Sequence, residues 1–87
     1  MDGRALVAWN LRRIRVLQGI SQERLAFDAG VDRAYVGGLE RRTENPTVDL
    51  LDKLALTLKV PLHELFVIPE DHAQPPEVLR RGRRKAS

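Results

Sequence analysis

Ser21-Gln22-Glu23-Arg24-Leu25-Ala26-Phe27-Asp28-Ala29-Gly30-Val31-Asp32-Arg33-Ala34-Tyr35-Val36-Gly37-Gly38-Leu39-Glu40 is the stretch that decides the fold. Ser21 carries the hydroxyl of an N-cap, and Leu25, Ala26 and Ala29 follow on one helical face. Gly30 tolerates the positive φ that ends a helix. Val31 is apolar inside the turn, Asp32 is a second N-cap, and Val36 and Leu39 give the next helix an inward stripe. These signals predict helices over 21–29 and 32–41, joined at a tight turn. That pattern is a helix-turn-helix, whose second helix is shaped for the major groove of DNA.

On the N-terminal side, residues 4–18 read as a first helix, with Val7, Leu11 and Ile14 on one stripe and Arg12, Arg13 and Arg15 around the other sides. Trp9 and Val16 fall opposite the stripe. They are either covered by neighbouring side chains or available to a protein partner. On the C-terminal side, residues 42–46 form a loop that Pro46 closes, and Thr47 caps a fourth helix. Asp49 and Asp52 lie near its positive end, and Leu50, Leu51, Leu54, Ala55 and Leu58 form its broad apolar stripe. Val60-Pro61 ends it, and Pro61 starts a short fifth helix through Phe66 or Val67. From Pro69 the composition turns to prolines and polar residues, with a basic end at Arg80, Arg81, Arg83, Arg84 and Lys85. The expected architecture is all-α: a compact five-helix domain over 1–68, then a linker and basic tail over 69–87.

Composition excludes several classes. A chain of 87 residues makes one domain. It has no cysteine, so disulfide frameworks and thiolate metal sites are absent. No apolar run is long enough to span a membrane and no signal peptide precedes the domain, which points to the cytoplasm. His63 and His72 have no ligand set around them, and no phosphate loop or nucleophile elbow appears. The chain therefore reads as a non-enzyme without cofactor or metal. Residues 1–68 hold 10 basic and 9 acidic groups and residues 69–87 hold 5 and 3, within totals of 15 and 12. Any nucleic-acid surface on the domain must come from segregating its arginines onto one face.

Leu11-Arg12-Arg13-Ile14-Arg15, Gly19-Ile20-Ser21-Gln22-Glu23-x-Leu25-Ala26, Ala29-Gly30-Val31, Val36-x-x-Leu39-Glu40-Arg41 and Asn45-Pro46-Thr47 resemble the lambda-repressor-like, Xre-type regulators of phages and bacteria. Leu54-Ala55-x-x-Leu58-x-Val60 and Leu65-Phe66 continue the match, which covers residues 4 to 67. The resemblance implies a five-helix domain that binds double-stranded DNA as a homodimer, most simply as a repressor or autoregulator. It also implies an ion pair between Arg15 and Glu40. An antitoxin or antiactivator that uses the same fold to bind another protein is the competing reading.

On that footing the start of the third helix meets base edges. Arg33 is the base reader, because its fork suits guanine O6 and N7. Ala34 offers a methyl, and Tyr35 either reaches a phosphate or sugar or serves as a half-buried spacer. Gly37 and Gly38 depart from the family pattern: they either let backbone approach DNA closely or weaken the helix. Gln22, Arg41, Arg42, Thr43 and Asn45 are the expected phosphate contacts. Leu62, Leu65, Phe66, Val67 and Ile68 exceed what one short helix buries and form the expected dimer interface. The tail binds flanking DNA, folds Val78 and Leu79 onto Trp9 and Val16, or stays solvated.

Overall fold

The computed structural model describes residues 1–70. Four α-helices, α1 (Gly3–Leu17), α2 (Gln22–Ala29), α3 (Arg33–Glu40) and α4 (Val48–Leu58), are followed by a 3₁₀ helix at Leu62–Phe66. No strand occurs among the described residues. No helix among them is long and apolar enough to cross a membrane.

Three helices start on side-chain caps. The Asp2 carboxylate accepts the N–H of Ala5 at 2.9 Å, Ser21 Oγ that of Arg24 at 3.0 Å, and Thr47 Oγ1 that of Leu50 at 3.0 Å. Asp32 departs from expectation. It stands at the N-cap position of α3 in extended backbone, yet its side chain makes no capping bond. Asp28, beside the turn, pairs with Arg24 at 2.8 Å instead.

All four helices end the same way. A residue with positive φ, Gly19 (70°), Gly30 (73°), Arg42 (67°) or Lys59 (61°), closes each one. The next N–H then bonds back across the last turn: Ile20 to the carbonyl of Arg15, Val31 to Ala26, Thr43 to Gly38 and Val60 to Ala55, at 2.9–3.0 Å. This is the Schellman closure, which satisfies carbonyls that a helix end otherwise leaves open.

The helices bury one core. Val7, Leu11 and Ile14 of α1 meet Leu25 and Ala26 of α2, Val36 and Leu39 of α3, Leu51, Leu54, Ala55 and Leu58 of α4, and Leu65. The fifth helix is corrected to a five-residue 3₁₀ helix. Between Pro61 and the extended Val67 only five residues are available. That leaves room for an i→i+3 bond, such as Glu64 N–H to the Pro61 carbonyl at 3.0 Å, and little more.

Asn10 fastens this turn to α1. It is completely buried, and its amide nitrogen donates to the carbonyls of Leu6 (2.9 Å), Leu65 (3.2 Å) and Val67 (2.9 Å). Its oxygen accepts from Arg13 Nε at 3.1 Å, and Arg13 in turn reaches the Glu64 carboxylate at 3.3 Å. The basic tail, with Val78, Leu79, Arg80, Arg81, Arg83, Arg84 and Lys85, lies outside the described residues.

Candidate nucleic-acid interface

The position of α3 is set by a buried polar junction. Arg15 donates from Nε to Glu40 Oε2 at 2.7 Å and from Nη2 to Oε1 at 2.9 Å, a bidentate pair. The two side chains are only 8% and 4% exposed. Arg15 Nη1 also donates to the Ile20 carbonyl at 2.9 Å, and Gln22 Nε2 donates to Glu40 Oε1 at 3.0 Å. One carboxylate thus joins α1, the start of α2 and the end of α3. The planar fork of arginine matches a carboxylate at both oxygens, so the pair fixes orientation as well as distance.

Around this junction lies an open groove of about 430 Å³, bordered by Arg12, Arg15, Ser21, Gln22, Glu23, Arg33, Gly37, Glu40 and Arg41. Arg15 and Glu40 neutralise one another, which leaves Arg12, Arg33 and Arg41 against Glu23. Arg33, Ala34 and Arg41 are exposed. Arg12 was not singled out from the sequence as a site residue. Its Nε is buried without a hydrogen-bond partner, and its place on the rim becomes visible only when α1 packs beside α2. The N–H groups of Gln22 and Glu23, in the first turn of α2, have no acceptor among the described residues, so they add partial positive charge.

The remaining expected residues separate. Tyr35 is half-buried against the core. Neither glycine presents bare backbone, which leaves no room for the close approach of backbone to DNA. A Cβ on Gly37 would meet Arg41 Nη1 at 3.1 Å and Gln22 Oε1 at 3.5 Å, and one on Gly38 would meet Glu44 Cγ at 2.6 Å. Side chains therefore cover both, and both are buried. Arg42 and Thr43 are exposed just beyond α3. Asn45 is not brought to the groove: it borders a second hollow with Asp2, Arg4, Val48 and Phe66.

Of the apolar set expected at a dimer seam, Leu65 is unavailable, because it is completely buried in its own protomer's core. Leu62 is half-buried, while Phe66 and Val67 are 41% exposed and Ile68 is 77% exposed. Trp9 and Val16 are partly buried and are not among the exposed large apolar side chains. This packing gives no support to a protein partner at Trp9 and Val16.

Comparison with known proteins agrees with this architecture. The profile of the helix-turn-helix family matches residues 11–65. A hypothetical transcription factor of Neisseria meningitidis is 40% identical over 70 residues, covering 80% of this chain and 66% of that protein. Its crystal structure superposes with a TM-score of 0.76 over 78% of each chain. The restriction-modification controller protein C.AhdI of Aeromonas hydrophila is 43% identical, with a TM-score of 0.70 over 72% of this chain and 96% of that one. The controller protein C.Esp1396I, solved as a tetramer on its natural 35-base-pair operator, is 30% identical, with a TM-score of 0.70 over 76% and 87%. The chain belongs to the helix-turn-helix family.

Proposed function

We propose that this protein is a transcriptional regulator that binds operator DNA as a homodimer, with α3 in the major groove. The observation that carries the proposal is the segregation of Arg12, Arg33 and Arg41 along one groove of a domain whose charges otherwise nearly balance. Arg33 opens α3 and donates to a guanine. Gln22 keeps one amide hydrogen beyond its bond to Glu40, and with the free N–H groups of α2 it seats a phosphate. Arg41 and Arg42 hold the backbone on the far side of α3, while Thr43 commits both of its donors to the Gly38 carbonyl and leaves this set. Asn45 is left out of this set.

Leu62, Phe66, Val67 and Ile68 form the seam between protomers. A two-fold axis there places the two α3 helices about 34 Å apart, one turn of DNA. That C.Esp1396I was solved as a tetramer on its operator supports operator binding by a symmetric assembly.

The test is selection from a random duplex pool, followed by titration of the enriched sequence across a salt series. The expected product is a pseudo-palindrome with half-sites one turn apart and an affinity that falls steeply with salt. A protein that enriches nothing, or one that binds every duplex equally, refutes the proposal.

A further inference from the structure

We propose that Glu44, in the loop after α3, determines specificity by accepting a hydrogen bond from the amino group of a cytosine in the major groove. The inference rests on the DNA-reading function above and names a residue that supplies part of it.

The starting point is the unusual floor of the reading surface. On α3, Val36 and Leu39 face the core. Gly38 lies on the far side, one turn after Ala34 and one before Arg41, both of them exposed. This is where a recognition helix normally projects a side chain. Here the space is filled from outside the helix. A Cβ built on Gly38 would fall 2.6 Å from Glu44 Cγ, 2.9 Å from its Oε2 and 3.2 Å from its Cδ. The loop is pinned in this place, because the N–H and Oγ1 of Thr43 both donate to the Gly38 carbonyl, at 2.9 and 3.1 Å. Glu44 therefore stands in for a side chain that α3 lacks.

Its carboxylate is uncommitted. Glu44 is half-buried, and its oxygens make no hydrogen bond or ion pair among the described residues. A carboxylate accepts and never donates. In the major groove only cytosine N4 and adenine N6 donate, and adenine sets the acceptor N7 beside its amino group. One carboxylate oxygen on N6 would bring the other towards N7, a repulsion that cytosine does not have. Guanine O6 and thymine O4 repel it as well. Gly38 follows Arg33 by five residues, about 7.5 Å along the helix, or roughly two base-pair steps. Arg33 and Glu44 thus read opposite chemistry, an acceptor-rich guanine and a donor cytosine, from two ends of one helix.

The experiment is parallel selection from a random duplex pool with the wild type, Glu44→Ala, Glu44→Gln, Gly38→Ala and Arg33→Ala, each checked by thermal melting. The wild type is expected to prefer cytosine at one position per half-site by about five- to tenfold. Glu44→Ala flattens that position and leaves the Arg33 position intact. Glu44→Gln moves it towards adenine, whose N6 and N7 suit a carboxamide. Gly38→Ala displaces Glu44 and flattens the same position without loss of melting temperature. An unchanged consensus for Glu44→Ala, with Arg33→Ala altering its own position, overturns the assignment and leaves DNA reading standing. A wild type that enriches no sequence removes both at once.

Discussion

Single side chains divide into those that hold the reading surface and those that use it. Arg33 is exposed at the start of α3 and makes no bond within the protein among the described residues, so its loss is felt only on DNA. Arg33→Ala should weaken the selected operator by about 1–3 kcal/mol and random DNA much less. Competition binding at fixed salt checks this, and equal losses on both duplexes would remove Arg33 from base reading. Glu40 is the opposite case. Its carboxylate satisfies Arg15 and Gln22 inside the fold. Glu40→Gln should cost about 3 kcal/mol or more, because a buried guanidinium is left without its counter-charge. The double change Arg15→Met and Glu40→Leu should recover part of that loss, since neither charge is then stranded. Thermal melting of the three proteins measures the difference, and an undisturbed Glu40→Gln would mean that the junction contributes nothing to stability.

At the scale of elements, the shared helix closure is the feature most open to manipulation. Gly19 and Gly30 adopt positive φ without strain, whereas Arg42 and Lys59 hold it against their own Cβ. Lys59 is exposed and its side chain makes no bond among the described residues. Lys59→Gly should therefore stabilise the domain by about 0.5–1 kcal/mol, seen as a melting temperature a few degrees higher. A lower one would show that the lysine's cation at the helix end outweighs its backbone strain. The same closures mark the limit of what could be read in advance. Helix positions, the Ser21 and Thr47 caps and the Gly30 turn follow from periodicity and local chemistry, and the structure places the boundaries of the first three helices within a residue, while the fourth ends at Leu58, two residues before Val60. Arg42 and Lys59 escape that reading, because a left-handed position is recognised by glycine and these are not glycine. The fifth helix was over-read, since an apolar run after proline looks alike in α and 3₁₀ form. Asn10 and Glu44 were invisible for a further reason. Their partners lie 55 and 57 residues away for Asn10, and on the back of a glycine for Glu44. No window of sequence links the Asn10 pairs, and the Glu44 contact, though only six residues apart, depends on a loop that turns back over α3.

For the molecule as a whole, the proposed dimer sets two surfaces to work together: the arginine groove and the apolar residues at the end of the described chain. Ile68 is mostly exposed and remote from the core, so a charge placed there leaves the protomer intact. Ile68→Glu should convert the protein to a monomer in sedimentation and reduce operator affinity by well over tenfold, because each half-site then binds alone. A dimer that survives this change would move the seam elsewhere. The seam is not a loose appendage. Asn10 ties the backbone of Leu65 and Val67 to α1, and Arg15 ties α1 to α3. In the proposed dimer, the seam and the reading helix of each protomer are therefore held in one packed unit. One base pair inserted between half-sites turns the second by about a tenth of a revolution, and nothing in the protomer yields to follow it. In the proposed dimer, a sequence with perfect half-sites at the wrong interval is then passed over, so the length of the operator's middle is itself a selected feature.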